Sequence, residues 1–181
     1  APGFNFTNDG IKFSPNGVLR LTGWMKPTTR CFAWLYFSNT DTGNGTINMN
    51  NLELDNAVIK SYTSVSTDNQ GTWLAQGALV TRTDVNFTTV NNTKTLKLMP
   101  MDDPNWGIKA NTRMFFEVII DGRDPSATII KIDTTYNSDW NSTHELKIRA
   151  AYPKSAGLIS SVYVNQDVGA AATMALYSQG F

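Results

Sequence analysis

The chain has 181 residues, the size of one domain, and its 15 Lys and Arg residues balance its 15 Asp and Glu residues. A formal net charge of zero argues against nucleic-acid packaging, because neutralising phosphates requires a clustered excess of cations. One cysteine and one histidine exclude an internal disulfide and a Cys/His zinc cluster. With no long apolar run and no basic segment followed by an apolar one at the start, we expect neither a membrane anchor nor a signal peptide.

The composition predicts an all-β fold. The chain contains 22 Thr, 18 Asn, 13 Gly and 12 Ser, which favour turns and strands over helices. Apolar residues recur with a period of two from Ile11 to Leu21 and again at Leu96, Ile148 and Val162. Such alternation is typical of short antiparallel strands with one face on a core and the other in water.

Three denser apolar runs are predicted to be central strands covered on both faces: 31–37, 114–120 and 128–132. The turn-rich stretches between strands predict loops at 38–51, 102–107, 121–125 and 137–141. Asp121-Gly122 indicates a hairpin, which Pro125 lengthens. Residues 155–164 are a possible helix, although their several β-branched residues argue against a helix there.

The first 21 residues form two short extended segments, each turning at a glycine, Gly10 and Gly17. So narrow a chain cannot bury its own apolar side chains, so identical copies packed around it would have to cover them. An edge hairpin folded back on the domain explains the same pattern, and both readings stay open.

Three segments, in the same order along the chain, resemble the adenovirus fibre family. Residues 10–21 resemble a last repeat of the fibre shaft. Trp24-Met25-Lys26-Pro27, followed by Cys31, is similar to the junction of shaft and head, where the cysteine opens the first head strand. Ala151-Tyr152-Pro153-Lys154-Ser155, followed by residues 158–165, resembles the family's Ala-Tyr-Pro-Lys-Ser loop and the strand after it.

The resemblance implies a homotrimeric viral attachment spike. Residues 1–21 would be the last repeat of a triple β-spiral shaft, and residues 22–181 a receptor-binding head built as an antiparallel β-sandwich of about eight strands. The head would bind a host-cell receptor, either a protein or a sialylated glycan. The protein would be made in the host cytosol, assembled in the nucleus and displayed on the virion surface.

Enzymatic readings find little support in the residues. His144 is the only candidate base for a Ser/His/Asp triad, no Gly-x-Ser-x-Gly motif occurs, and we expect a surface histidine on a strand. Cys31 lies in an aromatic run and is expected in the core. Nearby carboxylates, such as Glu53 and Asp55, are explained by chance or by turn formation, although a glycosidase needs such a pair. We expect no enzyme, no cofactor and no metal site.

Receptor contact requires exposed aromatic and polar groups on loops held by a rigid sheet. Trp106, with Asn105 beside it, and Trp140 lie in turn-rich segments and are candidates, although each could instead plug the core or the trimer interface. Arg149 and Lys154, flanking Tyr152, are candidates for an anionic sugar, although Tyr152-Pro153 could simply stiffen a loop. The alternative functions are a capsid projection or phage receptor-binding head, and a carbohydrate-binding module or glycosidase.

Overall fold

The structure is a computed structural model that describes residues 10–39, 47–48, 51–66, 73–75, 80–82, 95–97, 107–138, 142–166 and 172–180. Over these residues the chain forms twelve β-strands and no α-helix. Eight strands have six residues or more: β2 (Val18–Pro27), β3 (Ala33–Ser38), β4 (Glu53–Ser66), β8 (Met114–Asp121), β9 (Ala127–Ser138), β10 (Ser142–Pro153), β11 (Ser161–Gln166) and β12 (Ala172–Gly180). Four have two or three: β1 (Ile11–Lys12), β5 (Trp73–Ala75), β6 (Val80–Arg82) and β7 (Thr95–Lys97).

The strands form two antiparallel sheets. The large sheet has the order β12-β2-β8-β9-β10-β4-β5, with β6 also beside β4. The small sheet has the order β1-β11-β3-β7. The predicted all-β, antiparallel architecture is therefore confirmed.

One hydrophobic cluster joins the two sheets. Its members come from β2 and β8 to β10 of the large sheet and from β3 and β11 of the small one, and include Leu21, Val118, Ile148, Leu35 and Val162. Side chains of two sheets that share one core are what a β-sandwich requires. Cys31 is fully buried in the same cluster, as its apolar neighbours predicted.

The three densest apolar runs behave differently from one another. In β3 five of six side chains are buried, so both faces of that strand are covered, as predicted. In β8 and β9 burial alternates instead, and Phe115 on β8 is 53% exposed. The prediction that these two strands are covered on both faces is wrong, because within this chain only their inner face packs on the small sheet.

The N-terminal segment belongs to the same two sheets from Gly10 onwards. β1 pairs with β11, and β2 pairs with both β8 and β12. β2 also runs without a break through the domain boundary predicted after residue 21, and Leu19 and Leu21 are buried within one chain. Their burial therefore needs no neighbouring copies. Residues 1–9 of the predicted shaft repeat lie outside the described residues.

A turn at residues 14–17 docks on the end of β8. The Gly17 amide donates to the Ser14 carbonyl at 3.0 Å, and the Gly122 amide donates to the Gly17 carbonyl at 2.8 Å. A Cβ atom at Gly122 would lie 1.9 Å from the Pro15 carbonyl oxygen, so only glycine allows this approach. The contact fixes the entry of β2 into the large sheet.

Two local predictions have opposite outcomes. The hairpin at Asp121-Gly122 is confirmed, since β8 and β9 pair across residues 122–126. The helix candidate at 155–164 is wrong: residues 154–156 form a turn, and β11 begins at Ser161. β11 lies between β1 and β3, where its valines are buried, all six of its residues pair with β3, and Ser161 and Val162 also pair with β1.

Replacing Gly122 with alanine tests the docking of the N-terminal turn. The added methyl group must displace backbone rather than a flexible side chain, so we expect Gly122→Ala to lower the free energy of unfolding by about 1–3 kcal/mol. Gly180→Ala is the matched control, because nothing lies within 4 Å of a Cβ atom there. Equal denaturation midpoints for the two variants would show that the turn does not dock on Gly122.

Candidate functional site

An open groove of about 320 Å³ crosses β8, β9 and β10 on the outer face of the large sheet. The inner side chains of these strands fill the core, so the alternate residues point to the outside. The outward side chains around the groove are mostly charged, and its lining residues are Glu117, Ile119, Lys131, Ile132, Asp133, Lys147, Ile148 and Arg149.

The strand register places two pairs of like charges side by side. Lys131 lies directly opposite Arg149, and Glu117 lies directly opposite Asp133. Like charges directly opposite each other destabilise a sheet. Two adjacent pairs of this kind, of opposite sign, lie in the groove, and Lys147 lies next to the anionic pair.

Some of this charge is compensated within the sheet. Arg20 Nη2 donates to Glu117 Oε2 at 2.7 Å, in an ion pair that is about half exposed. Asp133 has Lys147 opposite it on β10. Lys131 and Arg149 are exposed, and the charge of Lys131 helps to lower the pKa of Asp121, the last residue of β8. The Arg149 side chain forms no hydrogen bond or ion pair with another residue that the structure describes. Within the described part of the chain, the groove therefore has one cation, Arg149, whose side chain lacks a partner.

Of the three residues expected to hold an anionic sugar, only Arg149 is in a position to do so. Tyr152 is fully buried on the opposite face of β10, and its hydroxyl accepts a hydrogen bond from the Asn48 amide at 3.2 Å. Its ring cannot stack on an external ligand, so its predicted role as a receptor contact is wrong.

The Lys154 side chain forms hydrogen bonds within the chain. Its ammonium donates to the Gly122 carbonyl at 2.5 Å and to Asn16 Oδ1 at 3.1 Å, which closes the docked turn. Binding a ligand would cost these two bonds. Lys154 thus stabilises the fold rather than joining Arg149 in one site.

The remaining predicted contacts, Asn105, Trp106 and Trp140, lie outside the described residues. Their role in receptor contact stays a prediction. The groove contains four charged residues that are not among the predicted receptor contacts: Glu117, Lys131, Asp133 and Lys147.

His144 is a core residue, and the expectation of a surface histidine is wrong. It is 1% exposed and lies on the inner face of β10 together with Leu146 and Ile148. Its Nε2 shares a hydrogen bond of 2.8 Å with Ser138 Oγ, and its ring centroid lies 5.0 Å from that of Tyr136. Burial lowers the pKa of His144 to about 4 and raises the pKa of Tyr136.

The distance between Ser138 and His144 equals that of a nucleophile and its base. Both side chains are buried, however, and a serine nucleophile must reach its substrate. The pair is better explained as a buried polar contact that joins the ends of β9 and β10.

No group of three or more His, Cys, Asp or Glu side chains suited to a metal ion occurs among the described residues. The same residues contain no helix long and apolar enough to span a membrane.

Comparisons with known proteins return no relative. No family model, no curated protein and no solved structure matches the chain.

The burial of His144 makes stability depend on pH. Above pH 6.5 the His144 ring is neutral in both the folded and the unfolded chain. Below pH 6.5 the ring is protonated in the unfolded chain, whereas in the folded chain it stays neutral down to about pH 4. Between pH 7 and 4 the free energy of unfolding should fall by about 3 kcal/mol more for the wild type than for His144→Gln. Parallel curves would contradict the burial. Since His144 is the only histidine, its NMR titration measures the same pKa without a variant.

Proposed function

We propose that the protein is the receptor-binding head of a viral attachment spike of the adenovirus fibre type. It acts as a homotrimer that recognises a host-cell surface receptor through several weak sites at once. The trimer and the shaft repeat enter the proposal from the sequence resemblance. Residues 10–21 themselves pair with β8, β11 and β12.

The surroundings of the resembling segments support the proposal. Trp24-Met25-Lys26-Pro27 ends β2, and Cys31 pairs with Ile108 just before β3 begins. Ala151-Tyr152-Pro153 ends β10, and the turn at Lys154 leads towards β11. A strand follows each of the two motifs, although Ala151-Tyr152-Pro153, part of a loop in the resemblance, belongs to β10.

The groove is the observation that carries the proposal. It is open, it lies on strands rather than on loops, and it presents Arg149 without a described side-chain partner, with Lys131 directly opposite. A shallow site of this kind suits weak and reversible surface recognition. Three copies on one head, and many heads on one particle, would convert weak contacts into firm attachment through effective concentration.

Carbohydrate hydrolysis is a second candidate, favoured by one observation. Glu117 and Asp133 lie directly opposite each other in the groove, and retaining glycosidases use two carboxyl groups about 5 Å apart. Glu117 is held by Arg20, and Asp133 is exposed to water, whereas a catalytic acid is usually sheltered. Hydrolysis of aryl glycosides that is lost in both Glu117→Gln and Asp133→Asn would establish this candidate in place of attachment.

Cell binding tests the proposed attachment. The protein displayed at high density on fluorescent beads should bind a panel of vertebrate cells at least about a hundredfold more tightly than the free protein. Beads that carry the protein unfolded by heat are the control. Absence of binding to every cell type, or equal affinity of the free and displayed protein, would contradict multivalent attachment.

A further inference from the structure

The edge of the large sheet at β12 differs from the other sheet edges. β12 pairs with β2 along all nine of its residues, without a break in register, and no described strand pairs with its other side. The other edge strands, β1, β5, β6 and β7, have two or three residues each, and three of them contain a lysine or an arginine. Short length and cationic residues protect a sheet edge against pairing with another chain.

β12 has neither form of protection. Its sequence, Ala-Thr-Met-Ala-Leu-Tyr-Ser-Gln-Gly, contains no charged residue and no proline. Gly180 at its end has nothing within 4 Å of the position of a Cβ atom, so space is open at that end of the strand. A long, regular and uncharged edge offers a row of backbone amides and carbonyls to which an extended segment can add as a further strand.

An exposed aromatic patch lies next to this edge on the outer face of the sheet. Trp24 on β2 lies directly opposite Phe115 on β8, whose side chain is 53% exposed. The Arg113 guanidinium carbon lies 4.6 Å from the centroid of the Trp24 ring, in a cation–π contact. On β12 the residue opposite Trp24 is an alanine, Ala175. Aromatic residues and arginine are enriched at the centres of protein interfaces.

A strand added to β12 would bring its side chains over this patch. Neighbouring strands are about 4.8 Å apart, so the added strand would lie about 10 Å from β2. Since Ala175 adds little volume between them, a large apolar side chain opposite it could reach the Trp24 ring. Burial of exposed aromatic surface would then stabilise the added strand beyond its backbone hydrogen bonds.

The charges beside the patch indicate the kind of partner. Lys26 lies two residues after Trp24 on the same face of β2, and Arg113 directly precedes β8, whereas neither β2 nor β12 contains an acidic residue. A second copy of this chain would present its own β12, which has no carboxylate for these cations. An acidic residue two positions from an apolar one would match both features, because such residues share a strand face. The charges therefore favour a different protein over a second copy.

We propose that β12 binds an extended segment of another protein, which adds to the large sheet as a strand. Its apolar side chain lies on Trp24, and its acidic side chain lies beside Lys26 and Arg113. This inference rests on the proposed attachment function in that it makes the receptor a protein, and it does not involve the charged groove on β8 to β10.

Titration with a short peptide tests the edge directly. The probe is the acetylated and amidated nonapeptide Thr-Thr-Asp-Thr-Phe-Thr-Asp-Thr-Thr, in which either direction of the strand places one carboxylate beside the cations. We expect it to shift the backbone NMR signals of β12 saturably at concentrations up to about 1 mM. The peptide with Lys in place of both Asp residues should bind about tenfold more weakly, the effect of one charge-assisted contact. No saturable shift, or equal binding of the two peptides, would overturn the proposal.

N-methylated peptides distinguish the addition of a strand from other contacts. Alternate amides of a strand point to the same edge, so one set of amides in the bound peptide faces β12 and the other set faces water. Methylation of one set should abolish binding, and methylation of the other set should leave it nearly unchanged. Equal effects of the two sets would contradict the addition of a strand.

Variants of the protein locate the site. Ala175→Glu places a charge in the middle of the edge and should abolish binding of the acidic peptide. Ala156→Glu is the matched control, because Ala156 is an exposed alanine in the turn after β10. Lys26→Gln should weaken binding about tenfold, whereas Lys147→Gln, on the outer face of the same sheet, should not. Equal affinities within both pairs of folded variants would refute the site.

The bead assay separates this inference from the proposed function. If displayed wild-type protein and Ala175→Glu bind cells equally well, the β12 site is wrong while attachment stands. If the peptide binds β12 and no cell is bound, the site stands and attachment is wrong. If Ala175→Glu lowers the number of chains in the assembled protein, a second copy occupies the edge and the proposal is wrong.

Discussion

The register of β8, β9 and β10 is the constraint on which the rest of the structure depends. Because side chains alternate between the two faces of a strand, one register places Val118, Ile132 and Ile148 in the core and their neighbours on the outside. A slip of one residue in any of these strands would bury charges and expose the core. The packing that holds the two sheets together therefore also fixes which charges meet in the groove.

The docking of the N-terminal turn on Gly122 determines where the N-terminal segment joins the large sheet. Through this contact and the clamp at Lys154, β2 enters the large sheet between β8 and β12, and Leu19 and Leu21 become part of the core of one chain. The sequence pattern alone leaves two sources of cover for these side chains open, identical copies or the rest of the same chain. The core of a single chain supplies it, so the proposed trimer rests on the resemblance and on the binding mode, not on unburied residues at this end.

Period-two alternation and turn chemistry predicted the fold class well, because both are local properties of the chain. The hairpin at Asp121-Gly122 and the buried Cys31 followed from neighbours in sequence. The site was harder to predict, because it depends on which residues lie opposite each other. Arg149 and Tyr152 are close in sequence but point to opposite faces of β10, whereas Arg149 and Lys131 meet only through the register.

His144 illustrates the same limit. The sequence around it shows alternation of polar and apolar residues, but it does not indicate that His144 lies on the same strand face as Leu146 and Ile148, inside the sandwich. Charged residues at alternate positions of β9 and β10 were a signal that could have indicated the outer face, although not the pairing of like charges across it.

The proposed attachment would use shallow sites of weak individual affinity on a rigid sandwich, so it would depend on several copies acting together. The number of chains in the assembled protein therefore tests the proposed homotrimer most directly. Native mass spectrometry of the protein at micromolar concentration should give the mass of three chains of 20.0 kDa each. A mass of one chain under the same conditions would contradict the account.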